Sequence, residues 1–311
     1  MSYTKYIKPF KTPPSILNDL RNKGLIVSNS PAAIKTLTYI NYYRFKIYLI
    51  PFMDTPSTFK EGTDFKDALE LYRFDDELRD ILFSLIGRIE IKLRARIDQV
   101  VSEHTDDPFW YLNDDLFDTY KINGLRSQLL NVFTKAKDEF TTHYKSKYFN
   151  ESHADFKSMP PFWMVSEIMT FGNILSIYKA IEKVPFNTLP SGNKLDNLAK
   201  EFGATNLKSL NSWLTLIRDI RNRCAHHSRT WNANYREPLG IRQQLDPTIT
   251  LPTPNRIYFF LALLHLMSKS LSLNTNIRET LTSLIEKYPA INTHLEAAGF
   301  PSNWESDSFW D

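Results

Sequence analysis

Cysteine is nearly missing from this chain: Cys224 stands alone among 311 residues. One thiol closes no disulfide within the chain and supplies too few ligands for a thiolate zinc cage, so the expected compartment is a reducing one, the cytoplasm. Glycine is scarce, at 9 residues. No GxxxxGK, GxGxxG or HExxH occurs, which removes the commonest phosphate-cradling loops and the helical zinc-protease site. Long hydrophobic runs are lacking too. The longest, Phe259 to Met267, is interrupted by His265 and falls short of the ~20 apolar residues that a membrane helix needs. The opening residues, MSYTKYIKPF, have no apolar stretch of the sort a secretion signal carries, so no membrane association is expected. Nor does one sign of charge prevail. The formal net charge of +3 is too small to identify a nucleic-acid binder without regard to where the charges lie.

What is present is a helix-forming chain. With 42% apolar residues it can fill the core of one large or two modest domains. Its 17 prolines punctuate long stretches rich in Leu, Ile, Lys and Glu. Pro13 to Lys23 reads as a short helix closed by Gly24, and a second helix starts near Pro31 and runs into the aromatic cluster Tyr42, Tyr43, Arg44 and Phe45. The Thr-, Ser-, Pro- and Gly-containing stretch Asp54 to Asp64 offers little to bury and marks a boundary. Beyond it Leu71, Leu78, Ile81, Leu82, Leu85, Ile89, Leu93, Ile97 and Val100 recur at three- and four-residue steps, predicting one long helix to about His104. Arg88, Lys92, Arg94 and Arg96 fall on its opposite side.

A helical pattern resumes from Leu125 to about Lys147. After Pro160-Pro161 the run from Trp163 to Ile181 is apolar on most sides and reads as a central buried helix, with Gly172 suggesting close helix approach. Leu210, Trp213, Leu214, Ile217 and Ile220 bury one face of a helix that continues into Arg221-Asn222-Arg223-Cys224-Ala225-His226-His227. Arg256 to Leu271 is strongly apolar, and Ile277 to Lys287 is followed by a frayed acidic end. The expected architecture is all-α, a helical bundle with a small N-terminal helical lobe (1–60), a helical core (61–235) and a C-terminal helical extension (236–311).

Charge, small in total, is concentrated locally. From Lys208 to Glu237, Lys208, Arg218, Arg221, Arg223, Arg229 and Arg236 outnumber Asp219 and Glu237. Within this field four residues separate Arg221 from His226, a spacing that brings a guanidinium and an imidazole to one helix end if the last turn unwinds. RNA cleavage by the adjacent 2′-hydroxyl requires that hydroxyl to lose a proton, which a histidine accepts near neutral pH. A guanidinium fork holds the non-bridging oxygens as charge builds on them, so no metal ion or other cofactor is called for. In-line displacement sets the attacking and leaving oxygens on opposite sides of phosphorus, beyond one imidazole. A two-fold dimer supplies a second His226, and His227 of the same chain is the alternative second group. The spacing alone is equally compatible with basic side chains that complement the negative end of a helix dipole.

RNRCAHHSRTWN, at Arg221 to Asn232, resembles the HEPN ribonuclease signature as it occurs in AbiD/AbiF-like abortive-infection proteins. INYYRFKIYLIPF from Ile40, RFDDELRDILFSLIGRIEIKLRARI from Arg73 and PPFWMVSEIMTFGNILSIYKAI from Pro160 resemble that family's pattern in the same order, so the likeness covers about residues 10 to 235. The resemblance implies a HEPN-like helical core and metal-independent RNase activity by Arg221 and His226. It also implies a toxin role in phage defence, restrained by a small noncoding RNA, with RNA as substrate and partner and a homodimer as the working form. By the same resemblance Asn222 orients the site and Glu90, on the long helix, buttresses the arginine. Candidate RNA contacts are Arg88, Lys92, Arg94, Arg96, Arg218, Arg223 and Arg229, with His227 in support.

Two other readings remain open. One is a non-catalytic helical RNA-binding or regulatory module that uses the basic helix end for phosphate contact alone. The other is a helix-turn-helix regulator built on residues 13 to 45. Tyr42, Tyr43 and Arg44 suit stacking on unpaired bases, although core packing is expected of at least one tyrosine. The acids Asp75, Asp76 and Glu77 are expected near a helix start, where they would complement its dipole.

Overall fold

The computed structural model describes residues 3–7, 9–148, 158–243 and 255–311. It is an all-α bundle, interrupted among these residues by two small antiparallel hairpins. Backbone contacts divide the chain into two compact units, Met1–Leu78 with Arg278–Ala298, and Arg79–Ile277 with Gly299–Asp311.

In the first unit, helix α1 (Pro13–Asn22) starts at Thr12, whose hydroxyl accepts the Ser15 N–H, and stops before Gly24 at φ +89°. The second expected helix is two. Helix α2 (Ser30–Tyr39) ends at extended Ile40, and the Asn41 side chain accepts the Tyr43 N–H to open α3 (Tyr42–Leu49). This is the reason for the break: an asparagine cap competes successfully with helix continuation. Tyr42 is half-buried and Tyr43 exposed, while Tyr48 is the tyrosine of this cluster that enters the core. The stretch after it does bury something. Strands β1 (Met53–Thr55) and β2 (Thr58–Phe59) form a hairpin that buries Phe59, and the carboxylate of Asp64 accepts N–H groups from Ser28 and Lys66.

Helix α4 (Phe65–Thr105) begins here and continues into the second unit. Because it starts at Phe65, Asp75 lies in its interior, and a dipole explanation for that acid fails. Asp75 is instead buried and accepts the Tyr48 hydroxyl at 2.6 Å. Glu77 accepts from Lys287 Nζ and the Tyr288 hydroxyl, and these bonds hold its carboxyl below the usual range.

In the second unit, α4 buries Leu82, Leu85, Ile86, Ile89, Leu93 and Ile97. The expected helix to Lys147 is again divided, into α5 (Thr119–Lys135) and α6 (Glu139–Lys147). Lys145 Nζ donates to the carbonyls of Thr134 and Ala136, which satisfies acceptors that a continuous helix would have used. The expected central helix breaks too. A four-residue α7 (Phe162–Val165) and a 3₁₀ turn precede α8 (Phe171–Ala180), opened by a reciprocal capping box between Thr170 and Asn173. Trp163 is 51% exposed as a result. A Cβ on Gly172 would meet only Thr170 Oγ1, so no helix approaches closely there.

Strands β3 (Asn187–Thr188) and β4 (Gly192–Asn193) lead to α9 (Lys194–Glu201), α10 (Leu207–Ala225), α11 (Ile257–Ser270) and α12 (Ile277–Lys287). Helix α8 packs against α5 and α10, and α9 against α10. The Tyr178 hydroxyl donates to Leu93 O at 3.0 Å, and Asn211 Nδ2 donates to Tyr178 O at 2.8 Å, tying α8 to α4 and α10. The acidic end is not frayed. Trp304 and Trp310 are buried, and Trp310 Nε1 donates to the Tyr258 hydroxyl at 3.2 Å. Aromatic burial outweighs the charge of the intervening acids, which stay outside.

Candidate functional site

The end of α10 is shaped by its backbone. The His226 N–H donates to Asn222 O, the His227 N–H to Cys224 O at 3.0 Å, and the Ser228 N–H to Arg223 O at 2.8 Å. These nested bonds form a Schellman stop, with His227 in the left-handed position that glycine usually fills, at φ +50°. An L-residue there costs roughly 1–2 kcal/mol. Ile220, Cys224, Thr230 and Trp231 are buried on either side of the stop. The outgoing segment is pinned by the Tyr235 hydroxyl on Thr230 O at 2.7 Å and by Arg256 Nη1 on Asn232 O at 2.6 Å. Between these anchors Asn222, His226 and His227 are exposed, and Arg221 is half-buried.

Arg221 leans on an aromatic ring. Its guanidinium carbon lies 5.4 Å from the centroid of Phe83, on α4. Among the described residues it makes no hydrogen bond or ion pair, so its five N–H donors are free for an anion while cation–π attraction limits where the fork can go. Sequence reading missed Phe83. The available signal was an aromatic on the polar side of α4.

Glu90 faces a different arginine. Its carboxylate pairs with Arg94, one turn on, and Arg94 also donates to Ser166 O at 2.6 Å and Met169 O at 2.7 Å. Among the described residues nothing joins Glu90 to Arg221. The basic residues expected to meet RNA thus fall into two groups. Arg94 is enclosed as described. Arg96 makes a fork-to-fork pair with Glu201 at 2.7 Å for both bonds, which raises its pKa further. Arg223 donates to Arg229 O and lies over the Tyr235 ring. Arg218 pairs with its neighbour Asp219. Arg88, Lys92 and Arg229 have no ion-pair partner among the described residues. Lys179, at the end of α8, was not anticipated. Burial lowers its pKa, with Arg218 and Arg236 pushing the same way and Asp219 opposing them.

Among the described residues no group of three or more His, Cys, Asp or Glu converges as a metal cage would, and no helix is long and apolar enough to cross a membrane. Fold and site together define an all-α protein in which α10 presents a basic, histidine-bearing helix end. A family model described as Abi-like protein matches residues 35–232, and the chain belongs to that family. The family points to abortive infection, a form of phage defence. No curated protein and no solved structure matches the chain.

Proposed function

We propose that this protein is a metal-independent endoribonuclease of abortive infection, acting in the cytoplasm as a homodimer. One observation carries the reading: Arg221, held on Phe83 with its donors unbonded among the described residues, shares a backbone-fixed helix end with the exposed His226. In the proposed reaction the imidazole of one His226 takes the proton of a ribose 2′-hydroxyl. The freed oxygen attacks the adjacent phosphorus, the bond from phosphorus to the 5′-oxygen breaks, and that oxygen takes a proton from the imidazolium of the second His226. Arg221 stabilises the charge on the non-bridging oxygens, Asn222 orients the site, and His227 supports it. The products are a 2′,3′-cyclic phosphate and a 5′-hydroxyl. DNA, without the 2′-hydroxyl, resists. The family resemblance adds a small noncoding RNA as the restraint on a toxic activity.

The purified protein is expected to cut RNA in EDTA and leave cyclic-phosphate ends, and His226→Ala and Arg221→Ala are each expected to abolish cutting while remaining folded. Undiminished cutting by both variants overturns the proposal. Salt-sensitive RNA binding without any cyclic-phosphate product supports the non-catalytic alternative instead.

A further inference from the structure

The first unit holds a cavity of about 430 Å³ where the end of α1, the helix α3 and the β1–β2 hairpin meet. That volume lies within the roughly 300–1,000 Å³ of small-molecule sites. Its walls are tied together. The Phe59 N–H donates to Lys23 O at 2.8 Å and Lys23 Nζ donates to Pro56 O at 3.3 Å, which fixes the hairpin to the end of α1 at two points. Leu20, Leu49, Met53 and Phe59 give the cavity an apolar lining.

The same cavity is bordered by groups that a hydrocarbon ligand would leave unmatched. Lys23, Lys46 and Asp54 all line it, and among the described residues neither ammonium group pairs with the carboxylate. The side chains of Lys46 and Asp54 have no hydrogen-bond partner among those residues, and that of Lys23 has the Pro56 carbonyl alone. Half-buried Tyr42 adds a ring and a hydroxyl. Burial, aided by Asp19 and opposed by Lys11, keeps this phenol protonated and able to donate. Opposite charges that border one cavity without neutralising each other can meet different parts of one ligand.

Each feature narrows the ligand. Two ammonium groups suit a phosphate monoester, with about −1.5 to −2 charge at neutral pH, better than they suit a single carboxylate. Asp54 calls for N–H donors on the ligand, because an alkyl tail laid against it would desolvate the carboxylate without a bond in return. The rings of Tyr42 and Phe59 and the Met53 thioether suit a flat aromatic body. An amino-bearing base joined through ribose to phosphate meets all three demands, whereas a fatty acid meets none in full.

We infer that this cavity binds a nucleotide whose base carries an amino group, with the phosphate on Lys23 and Lys46 and the amino group on Asp54. The chemistry of recognition is the same for a free nucleotide and for the unpaired end of an RNA strand. It stands apart from the nuclease reading, since every lining residue belongs to the first unit and Arg221 and His226 belong to the second.

The experiment is calorimetric titration of the full chain carrying His226→Ala, so that an RNA probe is not cut. AMP is expected to bind, and ribose 5-phosphate, without the base, and adenosine, without the phosphate, to bind at least about tenfold more weakly. Lys46→Glu should weaken AMP binding by at least about tenfold. Asp54→Ala should weaken AMP yet leave ribose 5-phosphate unchanged or tighter, because the acid attracts the amino group and repels the phosphate. Both positions are exposed, so thermal melts should match the parent. A 5′-phosphorylated tetraadenylate separates the two sources: tighter binding than AMP assigns the cavity to strand ends and equal or weaker binding assigns it to free nucleotides, with the same dependence on Lys46 in either case. Four results overturn the site: neither probe bound at millimolar concentration, binding of both untouched by Lys46→Glu, AMP bound no tighter than ribose 5-phosphate, or AMP tightened by Asp54→Ala. Binding that follows these rules in a chain whose wild type cuts no RNA keeps the site and removes the nuclease, while His226-dependent cutting with neither probe bound removes the site alone.

Discussion

Arg94 and Arg221 are the same side chain put to opposite uses within one unit. Arg94 is largely enclosed, paired with Glu90 and bonded to two carbonyls that close the turn between α7 and α8. Arg221 rests on a half-exposed ring, and among the described residues none of its donors is bonded. A charge surrounded by acceptors positions backbone, and has nothing left to offer a ligand. A charge restrained by an aromatic face keeps its hydrogen-bonding capacity and remains available. Partnership therefore separates an enclosed arginine from an available one here, and sequence position does not.

That contrast is open to attack at several places. The largest expected effect is on activity: Arg221→Ala and His226→Ala should each lower RNA cutting by about a hundredfold or more, with thermal melts close to wild type. Arg221→Lys keeps the charge but loses the fork and the stacking, and should fall between wild type and Arg221→Ala in the same assay. Arg94→Ala should do the reverse, destabilising the second unit by about 2–4 kcal/mol, as read from the urea midpoint. If Arg94→Ala instead removes cutting from a protein of unchanged stability, the two arginines are not distinguished as described.

A smaller effect is expected at the helix stop. His227→Gly relieves a left-handed histidine and should stabilise by about 1 kcal/mol, a rise of a few degrees in Tm. Its cutting rate, compared with His226→Ala, then separates strain at this position from chemistry. The smallest effect lies in the first unit, where burial, with Lys60 nearby, holds the His294 imidazole below the ordinary histidine pKa. A depressed folded-state pKa means that the neutral form is the one folded protein favours. Its contribution is whole above about 6.5, the unfolded value, and is lost as pH falls through the folded-state pKa. Urea midpoints between pH 7 and pH 5 should decline in wild type and decline less in His294→Phe, which preserves a ring beside Phe52.

The helices were legible because their apolar spacing survives in single-sequence form, most clearly in α4 and α11. Breaks were less so. Asn41, Thr170 and Lys145 each mark a helix break through local side-chain bonds, and propensity does not reveal whether such bonds win against continuation. The tail looks frayed in sequence because Glu305, Asp307 and Asp311 surround the tryptophans that anchor it, Trp304 and Trp310. At the site, the spacing of Arg221 and His226 along α10 and the family likeness were readable from the chain alone. Phe83 was not, since it lies far off in sequence and meets Arg221 only through packing. Arg94 and Arg96 looked like free surface charges because the carbonyls of Ser166 and Met169 and the carboxylate of Glu201 that claim them are tertiary partners.

The Schellman stop has a consequence for how this protein can vary. Its bonds run from peptide to peptide, through the nitrogens of His226, His227 and Ser228. The direction in which the chain leaves α10 is thereby written into the backbone, and it would survive changes of side chain at Ser228 better than a change of φ at His227.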